Sequence, residues 1–305
     1  MNIASMDIGS NTVLLLIAEV NEKKEFEVLT NRYEMPRLSK GLKPDGNIND
    51  AAVERFYKVL DDYIKVIRDY DCKTIIAKAT NAFRIAANAQ EIAEDVKARY
   101  DFDIEIISGD KEAELSYLGA ASSLPSVNEK FVMDIGGGST EIIYGKDAEI
   151  VFKKSHPVGA VMLTEKFVSN EPPTASAIND ISDYLNQIFA DLPNRIPASI
   201  NGIAVAGTPT SIASMIQGMK EYEEDSIEGY FLSKDDTAEL IMKLSQLRPD
   251  EILERYGTVV KGREDVITSG AIILNTVAEI LKVDGFTVSG RGIRYGALVD
   301  YLANN

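Results

Sequence analysis

Two short strings of the chain repeat the same order of chemistry-bearing residues. Met6-Asp7-Ile8-Gly9-Ser10-Asn11-Thr12 runs into the apolar stretch Val13 to Ile17, and Met133-Asp134-Ile135-Gly136-Gly137-Gly138-Ser139-Thr140 runs into Glu141-Ile142-Ile143. In each, an apolar strand ends in Asp-Ile-Gly, turns through small residues and resumes as a second strand. Turns built of Gly and Ser expose backbone N–H groups with no bulk in front of them, which suits phosphate oxygens. The Asp at each strand end can hold a divalent cation or its water shell. The residues placed at phosphate are therefore Ser10, Asn11 and Thr12 in the first turn and Gly136, Gly137, Gly138 and Ser139 in the second. Two ordinary glycine-turn hairpins are the alternative; recurrence of Asp, Gly and hydroxyl residues in one order argues against it. Two such hairpins predict two similar half-molecules, each offering a phosphate loop to a shared cleft.

Four further segments could bear on the same chemistry. Ala206-Gly207-Thr208-Pro209-Thr210-Ser211 lies between a strand and a helix, where N–H groups and the helix dipole favour an anion, so Gly207 and Thr208 join the phosphate-binding set. Arg84, in Thr80-Asn81-Ala82-Phe83-Arg84, could fork onto phosphate oxygens or form a surface salt bridge. In Ser108-Gly109-Asp110-Lys111-Glu112-Ala113-Glu114, one carboxylate would face whatever lies over the preceding strand's end, unless all of them only complement the helix N-terminus. Ser289-Gly290-Arg291-Gly292-Ile293-Arg294 is a turn before the last helix, functional or merely a packing turn.

Composition limits what these residues can do. The 305-residue chain has a formal net charge of −16, which argues against generic binding to nucleic-acid backbones. A polyanionic substrate would instead need a local lane of cations, and Arg84, Arg263 and Arg294 are the residues best placed for one. The single histidine, His156, excludes zinc sites built on several histidines, and the single cysteine, Cys72, excludes an intramolecular disulfide. Only oxygen ligands remain, which suits Mg²⁺ or Mn²⁺. No apolar run reaches the roughly 18–20 residues needed to span a bilayer. The chain opens directly on a strand with no signal-peptide pattern, so the expected location is the cytoplasm, with no membrane and no nucleic-acid partner.

The elements that must position these residues alternate strand and helix after an antiparallel start, an α/β pattern. Strands are expected near 3–8, 12–20, 25–37, 74–77 and 104–107. Helices are expected over 50–70, with Asn49 as N-cap, and over 89–100 and 108–121, with a polar turn at Thr80-Asn81 and a polar loop holding Pro44-Asp45-Gly46-Asn47. Ser122–Glu129 reads as a junction. The opening order then repeats in strands near 130–135, 140–145 and 149–155, followed by helices over 160–168 and 174–192 and a strand at 200–205. A long helix from about Glu264, a strand at 286–288 and a last helix through Leu302 complete the pattern.

Taken together, these segments resemble the exopolyphosphatase/guanosine pentaphosphate phosphohydrolase (Ppx/GppA) family, within the sugar kinase–Hsp70–actin superfamily. Asp134-Ile135-Gly136-Gly137-Gly138-Ser139-Thr140-Glu141 and Ser108-Gly109-Asp110-Lys111-Glu112-Ala113 are specific to that family when found together. Thr80–Arg84 with Asn88, Pro157-Val158-Gly159-Ala160, Arg263–Ile267 and Ser289–Gly296 extend the match over essentially the whole chain. The resemblance implies two ribonuclease-H-like domains with an active-site cleft between them, residues 1–125 completed by the last helix at about 293–305, and residues 126–292. It implies hydrolysis of a terminal phosphoanhydride with magnesium, Mn²⁺ being an alternative. Glu112 matches the catalytic base, Asp134 and Glu141 the acids that position metal and water, and Arg84 a substrate-phosphate ligand; with Asp7, the two acids form the implied metal set. The chain looks like the short form, without an added helical domain, and carries Leu14 where the family often has a basic residue. The expected substrate is inorganic polyphosphate, with guanosine pentaphosphate (pppGpp) as the alternative. A nucleotide switch of the actin or Hsp70 kind is disfavoured by the Ser-Gly-x-x-Glu-Ala string. A homodimer is compatible with the sequence, which does not select an oligomeric state.

Overall fold

The computed structural model describes the chain except residues 43–45, 124–127, 147–148, 198–199 and 201. In chain order the elements are β1 (Asn2–Ile8), β2 (Val13–Val20), β3 (Phe26–Glu34), α1 (Asp50–Asp69), β4 (Thr74–Ala79), α2 (Asn81–Ile85), α3 (Ala89–Tyr100), β5 (Ile104–Ile106) and α4 (Gly109–Ser123). They continue as β6 (Glu129–Ile135), β7 (Thr140–Lys146), β8 (Glu149–His156), α5 (Ala160–Phe167), α6 (Ala175–Ile188), α7 (Leu192–Arg195), β9 (Gly202–Val205), α8 (Gly207–Ile216), α9 (Glu224–Ile227) and β10 (Phe231–Ser233). The last are α10 (Lys234–Leu244), α11 (Pro249–Tyr256), α12 (Ile267–Leu281), β11 (Gly285–Ser289) and α13 (Ile293–Asn304). The chain divides into two compact units, Met1–Gly119 with Ile293–Asn305, and Ala120–Gly292. The junction expected at 125/126, and part of the loop at Pro44-Asp45, lie outside the described residues.

The first unit carries a sheet of order β3-β2-β1-β4-β5. β1 pairs antiparallel with β2 and parallel with β4, and β4 pairs parallel with β5. Side chains alternate across β1, so the sheet buries both faces. Ala4, Met6 and Ile8 pack into a core with Phe56, Leu60 and Ile64 of α1 and Phe83 of α2. Ile3, with Leu16 and Ala18, packs on the other face against Leu115 of α4 and Ile293, Tyr295 and Leu298 of α13. Asn49 caps α1, its Oδ1 accepting from the Ala52 N–H at 3.0 Å, and Tyr63 ties the helix to the sheet by donating to the Val13 carbonyl at 2.8 Å.

The second unit carries a sheet of order β8-β7-β6-β9-β11-β10 around one large core. β9 pairs parallel with both β6 and β11, while the pairs β6–β7, β7–β8 and β10–β11 are antiparallel. The opening of the first sheet recurs here in detail. Ile8 pairs with Val13 and Asp7 with Leu14 in the first hairpin; Ile135 pairs with Thr140 and Asp134 with Glu141 in the second. Each middle strand also breaks register against the third, between Ile17 and Ala18 and between Tyr144 and Gly145.

Four expectations need correction. Asn81 starts a short helix instead of lying in a polar turn. The helix expected over 174–192 ends at Ile188, with a separate turn of helix at Leu192–Arg195. The helix expected from Glu264 begins at Ile267. Thr208 to Ser211 lie inside α8 rather than in an open turn.

Candidate active site

The predicted segments in both units fall at the carboxyl ends of parallel strands, the edge where ligands bind in open α/β sheets. In the first unit, β1 ends in the Gly9–Thr12 turn, β4 in Thr80 and α2, and β5 in Ser108 and α4. The Thr80 N–H donates to the Ile8 carbonyl at 3.1 Å and the Ile107 N–H to the Ala79 carbonyl at 2.9 Å, which holds the three ends in line. In the second unit, β6 ends in the Gly136–Ser139 turn, β9 in Ala206 and α8, and β11 in the Ser289–Gly292 turn.

Both hairpin turns close in the same way. The Gly9 N–H donates to the Thr12 carbonyl at 2.9 Å, and the Gly136 N–H to the Ser139 carbonyl at 3.0 Å. A later segment braces each turn from behind. In the first, the carbonyls of Asn11 and Ser10 accept from the N–H groups of Arg37 at 3.0 Å and Ser39 at 2.9 Å. Arg37 takes the left-handed conformation, with φ 53°, to do so. In the second, the Gly136 carbonyl accepts from Ala160 at 3.0 Å and the Gly137 carbonyl from Val161 at 2.9 Å, so first-turn donors of α5 end on the glycine turn. Gly159 allows this approach, since a Cβ there would stand 2.5 Å from the Gly137 carbonyl.

The acids sort into two groups. Asp134 and Glu141 face each other across β6 and β7, 4% and 0% exposed. Ser155, opposite Glu141 on β8, donates to Glu141 Oε1 at 2.6 Å. Two carboxylates buried on one face of a hairpin favour a cation beside them. In the first hairpin the matching pair is Asp7 and Leu14, so that half offers one carboxylate where the other offers two. Among the described residues no three acidic, histidine or cysteine side chains gather into a metal-holding group. The donors that stand are an all-oxygen pair, which fits a magnesium ion that keeps waters and takes phosphate oxygens as further ligands.

Glu112 belongs to the other group. Its N–H donates to the Ser108 carbonyl at 2.9 Å in the first turn of α4, and its carboxylate is paired with Arg84, Nη1 to Oε2 2.5 Å. The same Nη1 donates to the Ile107 carbonyl at 3.1 Å.

Gly207 and Arg263 also meet. A Cβ on Gly207 would stand 2.1 Å from Arg263 Nη2, so the guanidinium lies directly on the first residue of α8. The first turn of α8 carries no acidic residue. Ala206, just before it, has φ 80° and ψ −176°, a conformation that glycine alone adopts freely and that costs about 1–3 kcal/mol. The Arg263 guanidinium and the N-terminus of α8 thus meet at one corner of the second unit. Arg294 is placed differently: it is 8% exposed, its Nε donates to Asn31 Oδ1 at 3.2 Å, and it lies over the Tyr295 ring at 5.0 Å. These contacts commit it to β3 in the first unit's interior.

Three contributors escaped sequence reading. Ser155 orients Glu141, and the Arg37–Ser39 loop braces the first turn. Glu228 is the third: it accepts from Ser289 Oγ at 2.7 Å and from the Gly290 N–H at 2.8 Å, fixing the turn that leads into α13.

The family model described as the Ppx/GppA phosphatase family matches residues 16–305. Exopolyphosphatase 2 of Mycobacterium tuberculosis is 30% identical, over 96% of this chain and 96% of its own. The bifunctional 3-dehydroquinate synthase/phosphatase of Fusobacterium nucleatum is 33% identical over 99% of this chain, which spans 46% of that protein's length. The crystal structure of an exopolyphosphatase from Cytophaga hutchinsonii superimposes with a TM-score of 0.91 at 26% identity, covering 100% of this chain and 98% of that one. No helix among the described residues is long and apolar enough to cross a membrane. Two sheets of actin-like order, duplicated Asp-Ile-Gly turns and these matches lead to one assignment: the chain belongs to the Ppx/GppA phosphatase family.

Proposed function

We propose that the chain is an exopolyphosphatase that releases orthophosphate from the end of inorganic polyphosphate in the cytoplasm. The observation that carries this reading is the array of small-residue turns, paired acids and arginines at the carboxyl ends of parallel strands in both units. The relatives whose names specify exopolyphosphatase support it.

In this reading Ser10, Asn11 and Thr12, with Gly136, Gly137, Gly138 and Ser139, hold the terminal phosphate through backbone N–H groups and hydroxyls. Arg84 binds its oxygens, while Gly207, Thr208 and Arg263 take the chain further along. Asp134 and Glu141 would hold Mg²⁺ or Mn²⁺, with Asp7 as the expected further acid, and the bound ion would neutralise charge on the phosphate oxygens. Glu112 accepts a proton from a water. The water oxygen bonds to the terminal phosphorus as the bridging P–O bond breaks, leaving its electron pair on the shortened chain. General-base help of this kind is worth roughly 10²–10⁴-fold. Residues 1–125 with 293–305, and 126–292, are the two functional halves.

Phosphate release from polyphosphate, pppGpp and ATP, measured side by side, tests the assignment. Polyphosphate should give the highest kcat/KM. Preference for pppGpp would make the protein a guanosine pentaphosphate phosphohydrolase, and inactivity on all three would reject the reading.

A further inference from the structure

Arg84 and Glu112 hold each other where each is needed for something else. The Glu112 side chain is 7% exposed and that of Arg84 20%, so little water screens the pair. A carboxylate held by a guanidinium is stabilised in its charged form and oriented toward its partner, which makes it a poor proton acceptor for a water elsewhere. Arg84 has not used all its donors. Nη1 serves both Glu112 and the Ile107 carbonyl, which leaves Nε and Nη2 as a fork of the shape that phosphate oxygens take in pairs. A phosphate arriving on that fork sets two or more negative charges beside the Glu112 carboxylate, and both anions then compete for one cation.

We propose that Arg84 is a latch on Glu112: the pair is closed in the free protein, and a phosphate group binding to Arg84 opens it. The base is thus released only when a phosphate is present to be attacked, and the ligand class that works the latch is a terminal phosphate of a polyanion. This rests on the reading of Glu112 as base and deepens it.

Competition has a thermodynamic signature. If Glu112 must give up Arg84 for phosphate to bind, removing the Glu112 charge strengthens phosphate binding, and does so through Arg84. The test is titration calorimetry with imidodiphosphate, whose P–N–P bridge resists hydrolysis, in Mg²⁺. It compares the wild type, Glu112→Gln, Arg84→Gln and the double variant. Glu112→Gln should bind about tenfold tighter than wild type, close to 1.4 kcal/mol. Added to Arg84→Gln, it should change the affinity less than about twofold. Arg84→Lys repeats the cycle if Arg84→Gln does not fold; lysine keeps the charge without the fork, so the gain from Glu112→Gln should shrink there too.

Equal tightening with and without Arg84 would show simple repulsion between carboxylate and ligand and would overturn the latch, as would no tightening at all. Polyphosphate hydrolysis by the wild type is read separately. Hydrolysis without coupling removes the latch and leaves the function standing, whereas no hydrolysis removes the function whatever the binding cycle shows.

Discussion

At the scale of single residues, the site depends on a few groups that nothing nearby can replace. Glu112→Gln should lower kcat by two or more decades without weakening substrate binding, because the amide retains shape but accepts no proton. Steady-state kinetics on polyphosphate checks this, and near-wild-type turnover would move the role of base to Glu141. Gly207→Ala is the second case. The added methyl would collide with the far end of a flexible side chain, so Arg263 should swing away while the backbone stays. The variant should therefore raise KM as Arg263→Ala does, with Tm within a few degrees of wild type. A large loss of Tm with unchanged KM would place Arg263 outside the substrate path. The residue types for these roles were legible in the sequence because Asp, Gly, Arg and Glu stand in strings of specific order. Ser155 was not legible. Its place opposite Glu141 depends on the register break at Tyr144 and Gly145, which leaves no mark in the string Lys153-Lys154-Ser155-His156.

At the scale of elements, strands and long helices were readable because their apolar periods are long and their caps explicit. The readings failed where signals were short or contradictory. Asn81–Ile85 has too few residues to show a helical period. Pro209 in the first turn of α8 resembles loop punctuation, although proline is tolerated at that place in a helix. The short edge strand β10 and helices α9 to α11 drew no reading at all.

The end of β8 supports a prediction at this scale. His156 is 4% exposed, pairs across from Thr140, and meets the edge of the Phe189 ring at 5.0 Å. Its Nε2 is buried without a hydrogen-bond partner among the described residues. Burial, with Lys154 nearby, lowers its pKa from 6.5 to about 4. The unfolded chain therefore binds the proton more readily than the folded one. The contribution of neutral His156 is complete above pH 6.5 and is lost as pH falls from 6.5 toward 4, about 2 kcal/mol having gone by pH 5. The unfolding free energy from urea titrations should fall less between pH 7.5 and pH 5 in His156→Leu than in wild type, by that amount. Equal falls would mean that the imidazole does not titrate between the two pH values.

At the scale of the whole molecule, a chain of net charge −16 must accept a polyanion. Under the proposed function, metal would be one route. Activity should disappear in EDTA and return with Mg²⁺, and full activity in chelator would exclude the carboxylates as metal ligands. A cationic lane provides the other. Arg84→Ala should reduce kcat/KM at every polyphosphate length, whereas Arg263→Ala should cost more on long chains than on short ones. An equal factor at all lengths for both variants would leave no lane, and a short substrate such as pppGpp would then fit better.

The first unit is interrupted in sequence by the second, and α13 is made only after the whole of that second unit. That helix is not an ornament on a finished sheet. Ser5 donates to the Arg294 carbonyl at 2.7 Å, and Gly296 comes so close to α4 that a Cβ would lie 1.8 Å from the Leu115 carbonyl oxygen. Synthesis is vectorial, so the ribosome delivers the whole of Ala120–Gly292, able to close its own core, while the face of Ile3, Leu16 and Ala18 still lacks its cover. A nascent chain halted before Ile293 would therefore pair a native second unit with a half-dressed first sheet, the kind of surface that chaperones hold. Maturation of the first unit would wait on α13.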